Sequence, residues 1–263
     1  MCRLAAYLGP PAPLSTLLYD PPRSLEVQAY APREQLSGRV NVDGTGLAWW
    51  QAGEPDPLRY VTDRPPWADP NLPGLAPRLR AGGQLAVVRG ATSGIGHGTV
   101  FVPPFTHGRV AGAHNGFVAD YRARVARALV DRLPDHLHAR LGGLGDSEAL
   151  FLLAAARLED DPAGGLRGAA AAAVREAAAL CAKLDVPATL TLVLADGRAI
   201  VATRAATATA ANSLYTLSDS ARWPGARVLA SEPLDDDAGW DAVPDGSLVE
   251  LTSDGVRVAP LEF

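Results

Sequence analysis

Apolar side chains run almost unbroken through residues 2–8, CRLAAYL, and stop at Gly9-Pro10-Pro11. That pattern predicts a short buried strand closed by a turn. The following stretch, GPPAPLSTLLYDPPRSL, predicts two turns around a short helix from Leu14 to Tyr19. Residues 39–50, RVNVDGTGLAWW, alternate about a glycine-rich centre and predict a hairpin. The proline-rich stretch 63–77 predicts a long ordered loop, because each proline fixes φ and removes a donor. A second apolar run, GGQLAVVRGAT at 82–92, predicts another buried strand. RVAGAHNGFVADY, at 109–121, predicts a strand with a tight turn at Asn115-Gly116.

The periodicity then changes. Helices are predicted near 120–133, at 146–158 behind the acidic first turn of GDSEALF, and over the alanine-rich stretch 165–184. ATLTLVLADGRAIVATR, at 188–204, predicts a hairpin about Asp196-Gly197, and short strands fill the C-terminal third. Strands, then helices, then strands again do not make a repeating strand–helix–strand order. They predict an α+β protein of layered antiparallel sheets. No repeat, low-complexity tail or linker interrupts the pattern, so residues 1–263 read as one domain.

Composition narrows the function classes. The 263 residues are 48% hydrophobic and 20% charged, enough for a well-buried core in a soluble globular chain. A net charge of -5, with arginines scattered among acids, argues against nucleic acid as a partner. Two cysteines, Cys2 and Cys181, cannot build a disulfide framework, which suits a reducing compartment. Pro10-Pro11 come too soon after Cys2 for a signal-peptide core, and no apolar run spans a bilayer. The expectation is a cytoplasmic protein without a membrane partner.

Residues 87–98, VVRGATSGIGHG, set glycines at 90, 94 and 96 behind a strand, as a dinucleotide-binding loop does. Such a loop needs a helix directly after it, whose N-terminus faces the pyrophosphate. Here GTVFVPPFTHG follows, β-rich and broken by Pro103-Pro104. None of the six tyrosines has a lysine four residues on. No nicotinamide cofactor is expected, and no metal-ligand set or phosphate loop stands out. His136 and His138 flank a helix end without a metal partner at useful spacing. Cys181 reads as a small buried hydrophobe and the acidic run 235–237 as a solvated turn.

Cys2 is the residue that calls for chemistry. A thiol attacks as its thiolate, and a free cysteine has a pKa of about 8.5. At a chain start exposed by removal of Met1, the α-amino group, with a pKa of about 7.7–8.0, can serve as the base. Position alone leaves open a plain buried strand cysteine. Three further segments bear on the choice. Arg89 ends a buried strand and either clamps a carboxylate or lies at the surface. Asn115 and Gly116 form either an oxyanion hole or an ordinary turn. Asp146, at a helix start, either accepts from an ammonium or caps its own helix.

As an ordered set, MCR, VNVDGTGLAWW, VRGAT, PFTHGR, HNG and GDSE resemble the class II glutamine amidotransferase domain, a family of N-terminal nucleophile hydrolases. The motif-level match covers roughly residues 1–160. The resemblance implies a four-layer αββα fold. It also implies that Cys2 attacks a γ-glutamyl amide, that Asn115 and Gly116 form the oxyanion hole, and that no cofactor takes part. Arg89 is implied to bind the substrate's α-carboxylate, with Thr92 on the same loop, and Asp146 its α-amino group. His114 is grouped with the substrate-binding residues as a brace for the oxyanion pair, a strand-interior role remaining open.

Many members carry Asn-x-His-Pro-Phe ahead of the Asn-Gly pair, and here Pro103 replaces that histidine. NSLYTL and VLASEPL in the C-terminal part resemble stand-alone members, and the short chain, with MCRLAAYLGPPAPLSTLLYDPPRSLEVQAYAPRE and PFTHGRVAGAHNG, is similar to the γ-glutamyl amidohydrolases of ergothioneine biosynthesis. The partner so implied is a small γ-glutamyl compound bearing a trimethylammonium group, which an aromatic face can hold. Trp49, Trp50, Tyr60 and Trp67 lie in segments near the expected site, with core packing open for each. Another γ-glutamyl compound, or ligand capture without catalysis, remain alternatives.

Overall fold

The computed structural model describes residues 2–91, 96–143 and 145–262. Its strands are β1 (Arg3–Pro13), β2 (Thr45–Trp50), β3 (Leu58–Thr62), β4 (Arg80–Val88), β5 (Phe105–His107), β6 (Val110–Val118) and β7 (Ala188–Ala195). They continue with β8 (Ile200–Arg204), β9 (Ala206–Thr207), β10 (Tyr215–Ser218), β11 (Arg227–Ala230), β12 (Asp241–Ala242), β13 (Ser247–Thr252) and β14 (Gly255–Pro260). The helices are α1 (Ser15–Leu18), α2 (Leu25–Tyr30), α3 (Leu72–Leu75), α4 (Ala126–Val130), α5 (Asp135–His138), α6 (Asp146–Asp160) and α7 (Gly165–Lys183). One sheet runs β12-β10-β11-β1-β4-β2-β3 and the other β14-β13-β8-β7-β6-β5, with β9 beside β7.

Alternation along the strands builds the layers, since successive side chains point to opposite faces. In β1, Leu4, Ala6 and Leu8 enter a core between the sheets that also holds Ala111, Ala113, Val193, Leu229 and Val249. The intervening Ala5 and Tyr7 turn the other way, onto Leu17, Leu18 and Leu25 of the short helices. In β6, Ala111 and Ala113 join the inter-sheet core, while Val110 and Val118 pack with Phe151, Val174 and Cys181 of α6 and α7. The result is the four-layer αββα arrangement: short helices, two stacked antiparallel sheets, then long helices. Each fully buried leucine, such as Leu4 or Leu229, contributes about 1.5–3 kcal/mol relative to exposure. Among the described residues, no helix is long and apolar enough to cross a membrane.

Several elements differ from expectation. Residues 39–44 form no strand, and β2 pairs instead with β3 and β4. Backbone bonds to Arg89 hold Asp43 and Gly44, so this segment supports a neighbouring loop rather than a hairpin. The proline-rich stretch contains a 3-10 turn, Pro66–Ala68, and α3. The helix expected near 120–133 starts as a π turn, Tyr121–Val125, and continues as α4.

The largest correction concerns Asn115-Gly116. No turn occurs there, because β6 runs straight through the pair, opposite Thr191 and Leu190 of β7. Pairing with β7 along residues 111–118 overrides the local turn preference. A glycine is needed at 116 for close packing, since a Cβ there would collide with the Thr189 carbonyl oxygen and the His114 ring.

Candidate active site

Cys2 stands at the head of β1, 8% exposed, and Arg3 pairs with Val88. That register brings Cys2 beside Arg89, the residue after β4. Both continue the alternation of the inter-sheet core, Cys2 from Leu4 and Arg89 from Val87. They meet in a pocket whose empty space, open solvent included, is about 420 Å³. Cys2, Arg89, Gly116, Asp146 and Ser147 line it with Phe101 and Phe105.

Arg89 is 4% exposed. Its Nη2 donates to the Gly96 carbonyl at 2.9 Å, and its guanidinium carbon lies 5.7 Å from the centre of the Phe101 ring. Nη1 is buried with no partner among the described residues. A buried orphan donor on a cation is costly, and here it lies in the wall of a cavity open to a ligand. A carboxylate would satisfy it. The segment 43–44 holds Arg89 in place: Asp43 N donates to the Arg89 carbonyl at 2.9 Å, Arg89 N to the Gly44 carbonyl at 2.8 Å, and Ala91 N to Asp43 Oδ2 at 2.7 Å. Thr92 lies outside the described residues.

Asp146 opens α6. Its Oδ1 accepts from Ser147 N at 2.8 Å, and its Oδ2 accepts from Val118 N, at the end of β6, at 2.9 Å. The carboxylate thus bonds its own helix and also ties it to the sheet, while its remaining lone pairs are available to the pocket. A substrate ammonium would fit there.

His114 is placed differently. It is 1% exposed and is not part of the pocket wall. Nε2 lies 2.8 Å from the Thr189 carbonyl oxygen, which can only accept, so Nε2 carries the proton. Nδ1 lies 3.1 Å from the Ser147 hydroxyl, which also lies 3.3 Å from Asp146 Oδ1. The ring joins β6 and β7 to the first turn of α6 from behind the pocket.

Asn115 is fully buried. Its Nδ2 donates to Ser231 Oγ at 3.3 Å, and its Oδ1 accepts from Asn212 Nδ2 at 3.5 Å. Asn212 Nδ2 also donates to the Asn115 carbonyl at 2.8 Å, which sets which end of the Asn115 amide is the donor. Ser231 Oγ accepts in addition from Leu4 N at 3.0 Å, linking the nucleophile strand to the Asn115 amide.

Arg3 Nε donates to the Cys2 carbonyl at 2.8 Å, and its Nη1 pairs with Glu232 at 3.0 Å. Burial pulls the Arg3 guanidinium below its ordinary value, and the Glu232 carboxylate opposes that pull. Glu232 accepts as well from Arg33 N at 2.8 Å and Glu34 N at 3.1 Å.

Sequence reasoning did not assign roles to Ser147, Asn212, Ser231 and Glu232, although the last three fall in NSLYTL and VLASEPL. The aromatic candidates also differ. Trp49 and Trp50 are core residues, Tyr60 bonds Asp69, and Trp67 lies exposed, edge-on to Tyr30. Phe101 and Phe105 line the pocket instead.

Residues 19–260 match the family described as glutamine amidotransferases class-II. The chain is 36% identical over 262 residues to the gamma-glutamyl-hercynylcysteine sulfoxide hydrolase of Mycobacterium tuberculosis, covering 100% of this chain and 97% of that one. It is 36% identical over 263 residues to the enzyme of the same name from Mycolicibacterium smegmatis, covering 99% and 100%. A solved class-II domain protein, described as a glutamine aminotransferase, from Silicibacter pomeroyi superposes over the whole of both chains with a TM-score of 0.72 at 26% identity.

Proposed function

The chain belongs to the class II glutamine amidotransferases, and from that membership we propose that it hydrolyses the γ-glutamyl amide bond of γ-glutamyl-hercynylcysteine S-oxide, in ergothioneine biosynthesis. The products are glutamate and hercynylcysteine S-oxide. The observation that carries the reading is one pocket lined by a thiol, a guanidinium with a buried nitrogen that has no partner among the described residues, and a helix-start carboxylate. An amino acid's α-carboxylate and α-ammonium match that pair of charges, which leaves its side-chain amide for the thiol.

With Met1 removed, the α-amine of Cys2 takes the thiol proton and Sγ attacks the γ-carbonyl carbon. Negative charge then develops on the carbonyl oxygen, where Asn115 Nδ2 and the Gly116 N–H stabilise it. The tetrahedral intermediate collapses and the C–N bond breaks. The leaving amine takes the proton held by the α-amine, and a glutamyl thioester remains on Cys2. Water, deprotonated by the same α-amine, attacks the thioester and frees glutamate and the thiol. Asn212 and Ser231 orient the Asn115 amide, and His114 keeps strand and helix in register.

The test is glutamate release from a panel of γ-glutamyl compounds. The S-oxide should be turned over with a far higher kcat/KM than glutamine, because its leaving group offers binding energy that ammonia cannot. Equal values for the two would refute the substrate assignment.

A further inference from the structure

A second cavity adjoins the first. Its empty space, open solvent included, is about 590 Å³, and it shares Phe105 and Glu148 with the pocket around Cys2. Its charged residues are Arg59, Arg140 and Glu148, set among apolar groups that include Val100 and Phe151. Neighbouring backbone fixes all three. Arg59 donates through Nη2 to the Val102 carbonyl at 2.9 Å and through Nε to the Pro104 carbonyl. Arg140 Nη2 donates to the Thr106 carbonyl at 3.0 Å. Glu148 accepts from Gly142 N at 3.0 Å and Gly143 N at 3.1 Å.

We propose that this second cavity is the leaving-group subsite, in which Arg59 and Arg140 meet the carboxylates of a zwitterionic amine and Glu148 faces its quaternary ammonium. The inference rests on the γ-glutamyl reading above. Once Arg89 and Asp146 hold the glutamyl head with its amide at Cys2, the group on the amide nitrogen must extend away from that head. The adjoining cavity begins at the shared Phe105 and Glu148.

Charge agrees with shape. Hercynylcysteine S-oxide carries one carboxylate from each of its two amino-acid halves and one trimethylammonium. The cavity offers two guanidiniums and one carboxylate, the complementary set. A quaternary ammonium has no N–H to donate, so it suits a carboxylate whose oxygens already accept from backbone, with Phe105 beside it. Ammonia, the leaving group of glutamine, can use none of this.

The experiment compares kcat/KM for γ-glutamylmethylamide, γ-glutamylcysteine and the full S-oxide in the wild type, in Arg140→Ala and in Glu148→Gln. Arg140 is exposed, so its replacement tests the subsite with little demand on folding. In the wild type kcat/KM should rise with each added charged group. Arg140→Ala should cut the ratio of S-oxide to methylamide roughly tenfold, the equivalent of about 1.4 kcal/mol of selectivity. Glu148→Gln should depress the S-oxide more than γ-glutamylcysteine, which has no quaternary ammonium. If the wild type prefers the S-oxide but both variants keep its full preference, the subsite is wrong and the amidohydrolase reading stands. If the wild type does not prefer the S-oxide, the substrate reading fails and this inference falls with it.

Discussion

The two cysteines, Cys2 and Cys181, sit in different surroundings. Cys181 is fully enclosed in α7, and burial, with the Asp146 charge adding to it, pushes its thiol up to about 11. Cys2 lines an open pocket. At pH 8 a small alkylating agent should therefore modify one thiol per native chain, at Cys2, and two after denaturation. Peptide mapping decides it, and labelling of Cys181 in the native protein would contradict the account. Asn115 tests the oxyanion role. Asn115→Ala should lower kcat about 10²–10³-fold with a smaller change in KM, since the donor meets charge that exists only in the transition state. A change confined to KM would make Asn115 a ground-state binding residue. The sequence singled out Cys2, Arg89, Asn115 and Asp146 because each sits in a short distinctive string, and Cys2, Arg89 and Asp146 line one pocket. Arg59, Arg140 and Glu148, which line the adjoining cavity, gave no such signal, being common surface residue types, with Arg59 far from the other two in the chain.

At the scale of elements, the chemistry depends on how strands and helices are pinned together. The buried Arg3–Glu232 pair anchors the start of β1 to residues 33–34 and to the chain just after β11. Removing one partner of such a pair strands a charge, at a cost of about 3–5 kcal/mol. Glu232→Ala should lose stability by that amount in denaturant unfolding, and the surviving folded fraction should turn over more slowly, because Arg3 also holds the Cys2 carbonyl. Unchanged stability would show that water or another group replaces Glu232. The same scale explains the misread turn. Asn-Gly is a strong local turn signal, yet the pairing that makes residues 115–116 part of β6 comes from β7, about seventy-five residues further along. Local pattern carries no record of that partner. Residues 39–50 failed for a related reason: the true partners of β2 are β3 and β4, and the Asp43-Gly44 segment serves Arg89.

For the whole molecule, the order of strand-rich and helix-rich stretches was enough to foresee layered antiparallel sheets, because the apolar run CRLAAYL forms a buried strand and the stretches 146–158 and 165–184 form helices. The strand order within each sheet was not foreseeable, since β1 lies between β11 and β4 and so joins the two ends of the chain. That arrangement sets Cys2 beside Arg89 on one side, and Leu4, two residues on, beside Ser231 on the other. The central claim is that this junction works by covalent catalysis at Cys2. Its most direct test is intact-mass analysis of enzyme quenched during turnover of a γ-glutamyl substrate, followed by peptide mapping. The account predicts a chain lacking Met1 and carrying one glutamyl group as a thioester on Cys2, with neither adduct nor glutamate release in Cys2→Ala. Glutamate release by Cys2→Ala at the wild-type rate, or an adduct on any other residue, would contradict it.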